Sequence, residues 1–349
     1  MAKIKFDLEK EMLDYIQKHP NSSSREIHEG LRNIVAFATV KRTINVLLEK
    51  NLVASTGRGK STKYAVSKAF DILAPIEIET YFEKEIDERI IQDKFNSDLI
   101  SQTLQNISIF TNTELDQLNN LQEKFKSNSS KLSKSEYKNE LERLAIDLSW
   151  KSSQIEGNTY SLLETERLLK DKETAAGKTK DEATMLLNHK DALDFIIKNP
   201  NYINPLTVSS IEDIHSILVK ELDISRKIRI RRVGISGTNY KPLDNEFQIK
   251  EAVESMCTLI NSKKNVFEKA LLSLVLVSYI QPFSDGNKRT ARIISNAILI
   301  NNHFCPISFR TIDSIEYKKA MLVFYEQTNI SPFKKAFIGQ FEFAVNTYF

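Results

Sequence analysis

The chain has 349 residues, more than one compact domain usually holds, so two domains are expected. Apolar residues make up 41%, which excludes wholesale disorder. Only 9 glycines and 8 prolines are present, too few for a turn-rich β protein, and this favours a mostly helical fold. A net charge of +3 names no partner by itself, so its distribution matters more.

Cys257 and Cys305 are far apart in sequence. They form neither a metal-binding spacing nor a disulfide framework, as expected in a reducing compartment. None of the 5 histidines pairs at a zinc spacing. The N-terminal MAKIKFDLEK lacks the apolar run of a signal peptide. Residues 270–280 are the longest apolar run, too short to span a bilayer. These features predict a soluble, cytoplasmic protein with no membrane partner.

Residues 1–70 read as one domain. Met12, Leu13 and Ile16 mark a helix ended by His19-Pro20-Asn21. Ser22-Ser23-Ser24 followed by Glu26 is an N-cap signal for a second helix, on which Ile27 and Leu31 share a face and His28 points outward. A third helix starts near Ala38, with Val40, Ile44, Leu47 and Leu48 at helical spacing. Residues 52–56 are a short extended run, residues 57–60 a turn, and residues 63–66 a return strand. Three helices and a basic hairpin are the plan of a winged helix.

Between residues 22 and 68, nine basic residues face three acidic ones. Thr39, Lys41, Arg42 and Asn45 lie early on the third helix, where helix-turn-helix proteins read base edges. Arg58, Lys60 and Lys63 on the hairpin suit the phosphate backbone. DNA is therefore one candidate partner; the alternative is a dimerisation or target-docking module, with a second copy of the chain as partner.

Residues 71–136 read as a polar, mostly helical linker, with a loop at residues 126–131. Helical patterns dominate residues 137–349. Trp150 is expected to anchor the core, and His189 and His215 to be structural. Residues 233–242 break the helical pattern with β-branched residues, Gly234, Gly237 and Pro242. They read as a hairpin flap.

The most informative stretch is Gln281-Pro282-Phe283-Ser284-Asp285-Gly286-Asn287-Lys288-Arg289-Thr290-Ala291-Arg292. It follows one apolar helix and opens another. Unpaired backbone N–H groups at a helix start suit a phosphate. Gly286 permits close backbone approach. Arg289 and Arg292, three apart, share a helical face and can meet one anion. Asp285 can hold Mg²⁺ between phosphates.

This stretch resembles the HPFx(D/E)GN(G/K)RxxR motif of the Fic family. It matches at Pro282, Phe283, Asp285, Gly286, Asn287, Arg289 and Arg292, with Lys288 at the variable position. The resemblance covers roughly residues 80–345. It implies an all-helical Fic core with a small β flap and an enzyme that transfers AMP from ATP to a protein hydroxyl. Asp285 would bind Mg²⁺, Gly286 and Asn287 would form the anion hole, and Arg289 and Arg292 would grip phosphates. Lys288 is also the residue of the related Doc toxins, which act as kinases, so a Doc-like kinase is a third reading.

The first motif position departs from the family. Gln281 stands at the catalytic position where the family has His. An amide can orient a hydroxyl but cannot take its proton near neutral pH. His215 is the first candidate for a substitute base. A nucleotide-binding Fic pseudoenzyme that regulates transcription is the alternative to a weakened transferase.

Residues 152–158, Ser-Ser-Gln-Ile-Glu-Gly-Asn, match the family's inhibitory pattern (S/T)xxxE(G/N). Ser152 and Glu156 are four apart, on one face of a helix near residues 145–157 that Gly157 can end. The resemblance implies that Glu156 pairs with Arg292 and occupies the γ-phosphate position. In the flap, Ile235, Ser236, Gly237, Thr238 and Tyr240 would bind the target protein as an added strand.

Overall fold

In a computed structural model, residues 7–32 and 34–349 are described. Their contacts divide the chain into two compact units. The first comprises Met1–Pro75 with Asn106–Leu115, and the second Ile76–Gln105 with Asp116–Phe349.

The first unit has three helices and a hairpin. Helix α1 (Leu8–Lys18) buries Met12, Leu13 and Ile16. Helix α2 (Ser24–Gly30) starts at a reciprocal cap in which Ser23 and Glu26 satisfy each other's backbone N–H. Helix α3 (Phe37–Glu49) buries Val40, Ile44 and Leu47. Strands β1 (Val53–Thr56) and β2 (Lys63–Val66) pair antiparallel, Val53 opposite Val66. A short helix α4 (Phe70–Leu73) follows. His28 differs from its expected outward pose: it is half-buried, and its Nε2 lies 2.8 Å from the Val35 carbonyl.

The second unit is helical: α5 (Ile78–Phe82), α6 (Asn112–Ser129, its first turn in the first unit), α7 (Lys134–Ile155), α8 (Leu162–Asp171) and α9 (Lys180–Lys198). Then come α10 (Val208–Leu218), α11 (Glu246–Ser262), α12 (Val266–Ile280), α13 (Asn287–Asn301), α14 (Ser314–Gln327) and α15 (Ser331–Tyr348). Helix α12 is its centre, because every residue from 270 to 280 is buried. A helix apolar all round belongs inside. It packs along α13, and both touch neighbouring helices on several sides.

Three sequence expectations need correction. The linker is less helical than its polarity suggests, since between α5 and α6 there are only a 3-10 turn (Ile86–Glu88) and one π turn (Leu99–Thr103). Its backbone instead bonds to distant groups, with Gln92 N–H donating to Glu326 O at 2.8 Å and Asn96 N–H to Tyr279 Oη at 2.9 Å. The loop at residues 126–131 shrinks, because α6 continues to Ser129. The flap contains no strand: the only paired sheet among the described residues is β1–β2, and residues 236–237 form a turn. Gly234 and Gly237 leave positions without a side chain to pack, which weakens a strand.

Candidate anion-binding cavity

The site is built where α12 ends and α13 begins. Gln281 caps α12 in the left-handed conformation, φ 52°. Its amide is held at both ends: Nε2 donates to Ser278 O at 2.7 Å, and Oε1 accepts from Asn287 Nδ2 at 2.9 Å. Asn287 also clamps the loop, donating to Phe283 O (2.8 Å) and accepting from Phe283 N–H (2.9 Å). Phe283 is fully buried and stacks on His215 with ring centroids 3.6 Å apart.

Gly286, at φ 78°, begins α13 with no side-chain cap. The backbone turn there suits glycine, since a Cβ would sit 3.4 Å from the His215 ring and strain the left-handed φ. The helix N-terminus is thus left to the solvent side of the loop, with its partial positive charge.

The charged groups converge on this helix start. Arg292 is fully buried. Its Nε donates to Ser152 Oγ at 2.8 Å, and its Nη2 to Ser152 O at 3.0 Å and Glu156 Oε1 at 2.7 Å. Lys288 Nζ lies 3.4 Å from Glu156 Oε2. Glu156 ends α7, one turn after Ser152, so helical spacing aims both at Arg292. Burial opposes ionisation of Glu156, but the Arg292 and Lys288 cations outweigh it and hold its carboxyl below the usual range. The Arg289 side chain is 1% exposed, and its Nη2 meets Asp285 Oδ2 at 3.4 Å. Arg289 Nε and Nη1 and Arg292 Nη1 have no protein partner among the described residues. Buried donors of this kind are suited to an anion. The Asp285 side chain is 64% exposed, and its Oδ1 accepts from Gly286 N–H at 2.5 Å.

A cavity of about 400 Å³ opens at the start of α13, with Arg289 and Arg292 buried behind its lining. Glu156, Gln281, Asp285, Gly286, Asn287 and Lys288 line one side, and Ile235 and Ser236 border it. So the structure brings together the predicted motif, the predicted Ser152–Glu156 pair and part of the predicted flap. Gly237 and Thr238 follow in the chain but do not line the cavity. Tyr240 does not belong there: it is 2% exposed, donates to Tyr279 O at 2.9 Å and stacks on Tyr279. Its aromatic body went to the core instead of a target.

Lys318, Met321, Leu322 and Tyr325 of α14 also line the cavity. Sequence reading missed them. Their spacing of three and four puts them on one helical face, but nothing in it points to a ligand. Arg229 was missed too. It is 3% exposed, and its guanidinium donates to Gln281 O at 2.7 Å, Arg231 O at 2.9 Å and Leu243 O at 2.5 Å. His215 is no free base: its ring nitrogens face Asp285 O (3.0 Å) and Arg226 O (3.3 Å). Burial also lowers its pKa. His189 is fully buried, with neither ring nitrogen hydrogen-bonded to the described residues, and is a core residue as expected. Trp150 is half-buried and donates to Tyr160 O at 3.1 Å.

In the first unit, Lys41, Arg42 and Asn45 are exposed on α3 and Thr39 is half-buried. Arg58 and Lys60 are exposed at the hairpin turn. Lys63 is half-buried on β2, and its Nζ pairs with Glu26 at 2.8 Å at the surface. Cys257 and Cys305 are both buried and free. Among the described residues, no cluster of His, Cys, Asp and Glu could hold a metal ion by itself, and no helix is long and apolar enough to cross a membrane.

Two family models match the chain. The Fic/DOC family model matches residues 205–299, and the penicillinase repressor model matches residues 7–124. The protein adenylyltransferase Fic of Nematostella vectensis is 30% identical over 172 residues, 48% of this chain and 40% of that protein. The protein adenylyltransferase fic-1 of Caenorhabditis elegans is 25% identical over 177 residues, 48% and 34% of the two chains. This chain therefore spans less than half the length of these curated relatives. Among solved structures, Fic-1 from C. elegans superposes with a TM-score of 0.59 at 20% identity, covering 68% of this chain and 72% of that one. A Fic-domain signalling protein from Bacteroides thetaiotaomicron gives 0.58 at 21%, covering 66% and 95%. The chain thus has a Fic-family fold, with its Fic/DOC segment at residues 205–299, behind a winged-helix-like N-terminal region.

Proposed function

We propose that the cavity binds ATP with Mg²⁺, and that the chain is a Fic-type protein AMP-transferase blocked by Glu156 and slowed by Gln281. The observation that supports this best is the Glu156 carboxylate lying 2.7 Å from Arg292 Nη2 at the start of α13. A carboxylate there occupies an anion position. Displacing it frees the Arg292 guanidinium and the Lys288 ammonium beside a helix N-terminus for phosphates.

The residues fit the nucleotide. The partnerless nitrogens of Arg289 and Arg292 are donors for the β- and γ-phosphates. Lys288 adds a point charge, and Asn287 offers a backbone N–H at the helix start. The exposed carboxylate of Asp285 suits Mg²⁺. The metal, when bound, offsets charge on the phosphates. Residues 233–236 border the cavity and, with Gly237 and Thr238 after them, would hold the target segment.

In the transfer, the target hydroxyl oxygen bonds to the α-phosphorus while the bond to pyrophosphate breaks. The hydroxyl proton must leave. The Gln281 amide cannot accept it, so the proton passes to water, at a cost of roughly 10²–10⁴ in rate.

The test is ATP binding by calorimetry and transfer of α-labelled ATP, with the parent and Glu156→Gly. The variant should bind ATP about tenfold or more tightly than the parent, with slow transfer of label. A folded variant that binds no better than the parent sinks the proposal. Label from γ-labelled but not α-labelled ATP would make the chain a Doc-like kinase.

A second reading is favoured by the exposed Lys41, Arg42 and Asn45 on α3 together with the penicillinase repressor match. In it, the chain is a nucleotide-binding regulator that contacts DNA through the first unit. Salt-dependent DNA binding that is weakened by Lys41→Ala and Arg42→Ala would support it.

A further inference from the structure

Residues 85–96 have no regular structure beyond one 3-10 turn, yet they hold two walls of the cavity. Glu326 follows Tyr325, one of the cavity residues of α14, and is fully buried. Its carboxylate accepts from Arg89 Nη1 at 3.1 and 3.2 Å and from Tyr81 Oη at 2.5 Å. The Arg89 side chain is 5% exposed and lies over the Phe82 ring at 5.1 Å. From the same guanidinium, Nη2 reaches Gly237 O at 3.4 Å, next to the cavity residue Ser236.

Neighbouring bonds repeat the pattern. Asn239 Nδ2 donates to Asp87 Oδ1 at 2.9 Å, and Lys241 N–H to Asp93 O at 2.9 Å. Phe95 stacks on Tyr279 of α12 at 5.0 Å. All of these groups belong to the second unit. A buried ion pair is a weak source of stability by itself, because desolvation offsets the attraction. What it does supply is a fixed geometry. Lysine could replace the charge of Arg89 but not the rigid fork that spans two acceptors.

We propose that Arg89 is a positioning residue for the cavity. One guanidinium ties α14, through Glu326, to the 233–241 segment, through the Gly237 carbonyl, and sets the distance between these walls. Only the nucleotide arm of its test rests on the ATP reading above.

The test uses the full chain and three variants, Arg89→Met, Arg89→Lys and Asp87→Ala. Hydrogen exchange is read at the Lys241 amide and across residues 233–243, with α12 and α13 as the internal control. Both Arg89 variants should speed exchange there about tenfold or more while α12 and α13 stay protected. Asp87→Ala, whose side chain and partner are exposed, should give a smaller increase at the same amides. Arg89→Lys should keep the parent's melting temperature, since the charge still meets Glu326. Full protection in Arg89→Lys would overturn the proposal, because charge alone would then suffice. If Arg89→Met does not fold, Arg89→Lys decides, and unchanged exchange in it overturns the proposal. In the Glu156→Gly background, Arg89→Lys should weaken ATP binding about tenfold. If Glu156→Gly itself binds no ATP, the function reading fails, and faster exchange at Lys241 in Arg89→Lys still supports the positioning role.

Discussion

The two sides of the cavity are built in opposite ways. The anion side is made by helix geometry. Ser152 and Glu156 share one face at the end of α7, and Arg289 and Arg292 share one at the start of α13. The opposite side, residues 233–236 with α14, includes a segment without secondary structure, which Arg229 holds from within and Arg89 from outside. Charge placed by a helix needs no other support. A wall without ladders or helical bonds depends on single side chains that satisfy its backbone. The first side should therefore tolerate changes in its chemistry, and the second should lose shape when one anchor goes.

The largest expected effect tests the first half of that contrast. In the Glu156→Gly background, Gln281→His should raise transfer of α-labelled AMP by roughly 10²–10⁴, the usual contribution of a general base. The backbone at residue 281 is left-handed, a region that His tolerates better than most side chains. No gain in rate, with ATP still bound, would mean that the anion side lacks more than a base.

The next effects compare anchors on the two sides. Arg292→Met leaves Ser152 and Glu156 without their buried partner, and should lower unfolding free energy by about 3 kcal/mol in urea. Arg229→Met leaves the carbonyls of Gln281, Arg231 and Leu243 without their donor. The expected loss is about 2 kcal/mol. The two should differ in where the damage falls. Arg229→Met should open residues 230–243 to protease at concentrations that leave the parent intact, and Arg292→Met should not. Equal cleavage in both would erase the contrast between helix-built and anchor-built walls.

The same contrast decides what was legible in the sequence. The winged-helix-like unit was readable because its caps and apolar spacings are local: Ser23 with Glu26, and Val40 with Ile44 and Leu47. The anion side was readable because its key relations span three or four residues on a helix. The flap was misread because β-branched residues and glycines suggest strands, while the segment's real partners lie far away in sequence. Gly237 meets Arg89, and Lys241 meets Asp93. Tyr240 was misassigned for the same reason, since no local pattern shows that its hydroxyl ends on Tyr279. The α14 face was invisible because amphipathic spacing alone cannot tell a cavity wall from ordinary core.

The smallest expected effect is a flat line. An unfolded Glu titrates near about 4.3, and Glu156 in the folded chain is held lower by Arg292 and Lys288 against its burial. Its pairing is therefore fully present above the ordinary carboxylate value and is lost only as pH falls through the depressed folded one. The groups that face it are the cationic side chains of Arg292, Lys288 and the more distant Arg289. His189 and His215, on α9 and α10, are both pushed down by burial, which disfavours their charged forms. The ratio of ATP affinities between Glu156→Gly and the parent, in which the titration of ATP itself cancels, should not change between about pH 6 and pH 8. A step in that ratio near the ordinary histidine value would place an imidazole among the groups that hold Glu156. The anion side would then depend on a single side chain from a third helix, as the opposite side depends on Arg229 and Arg89.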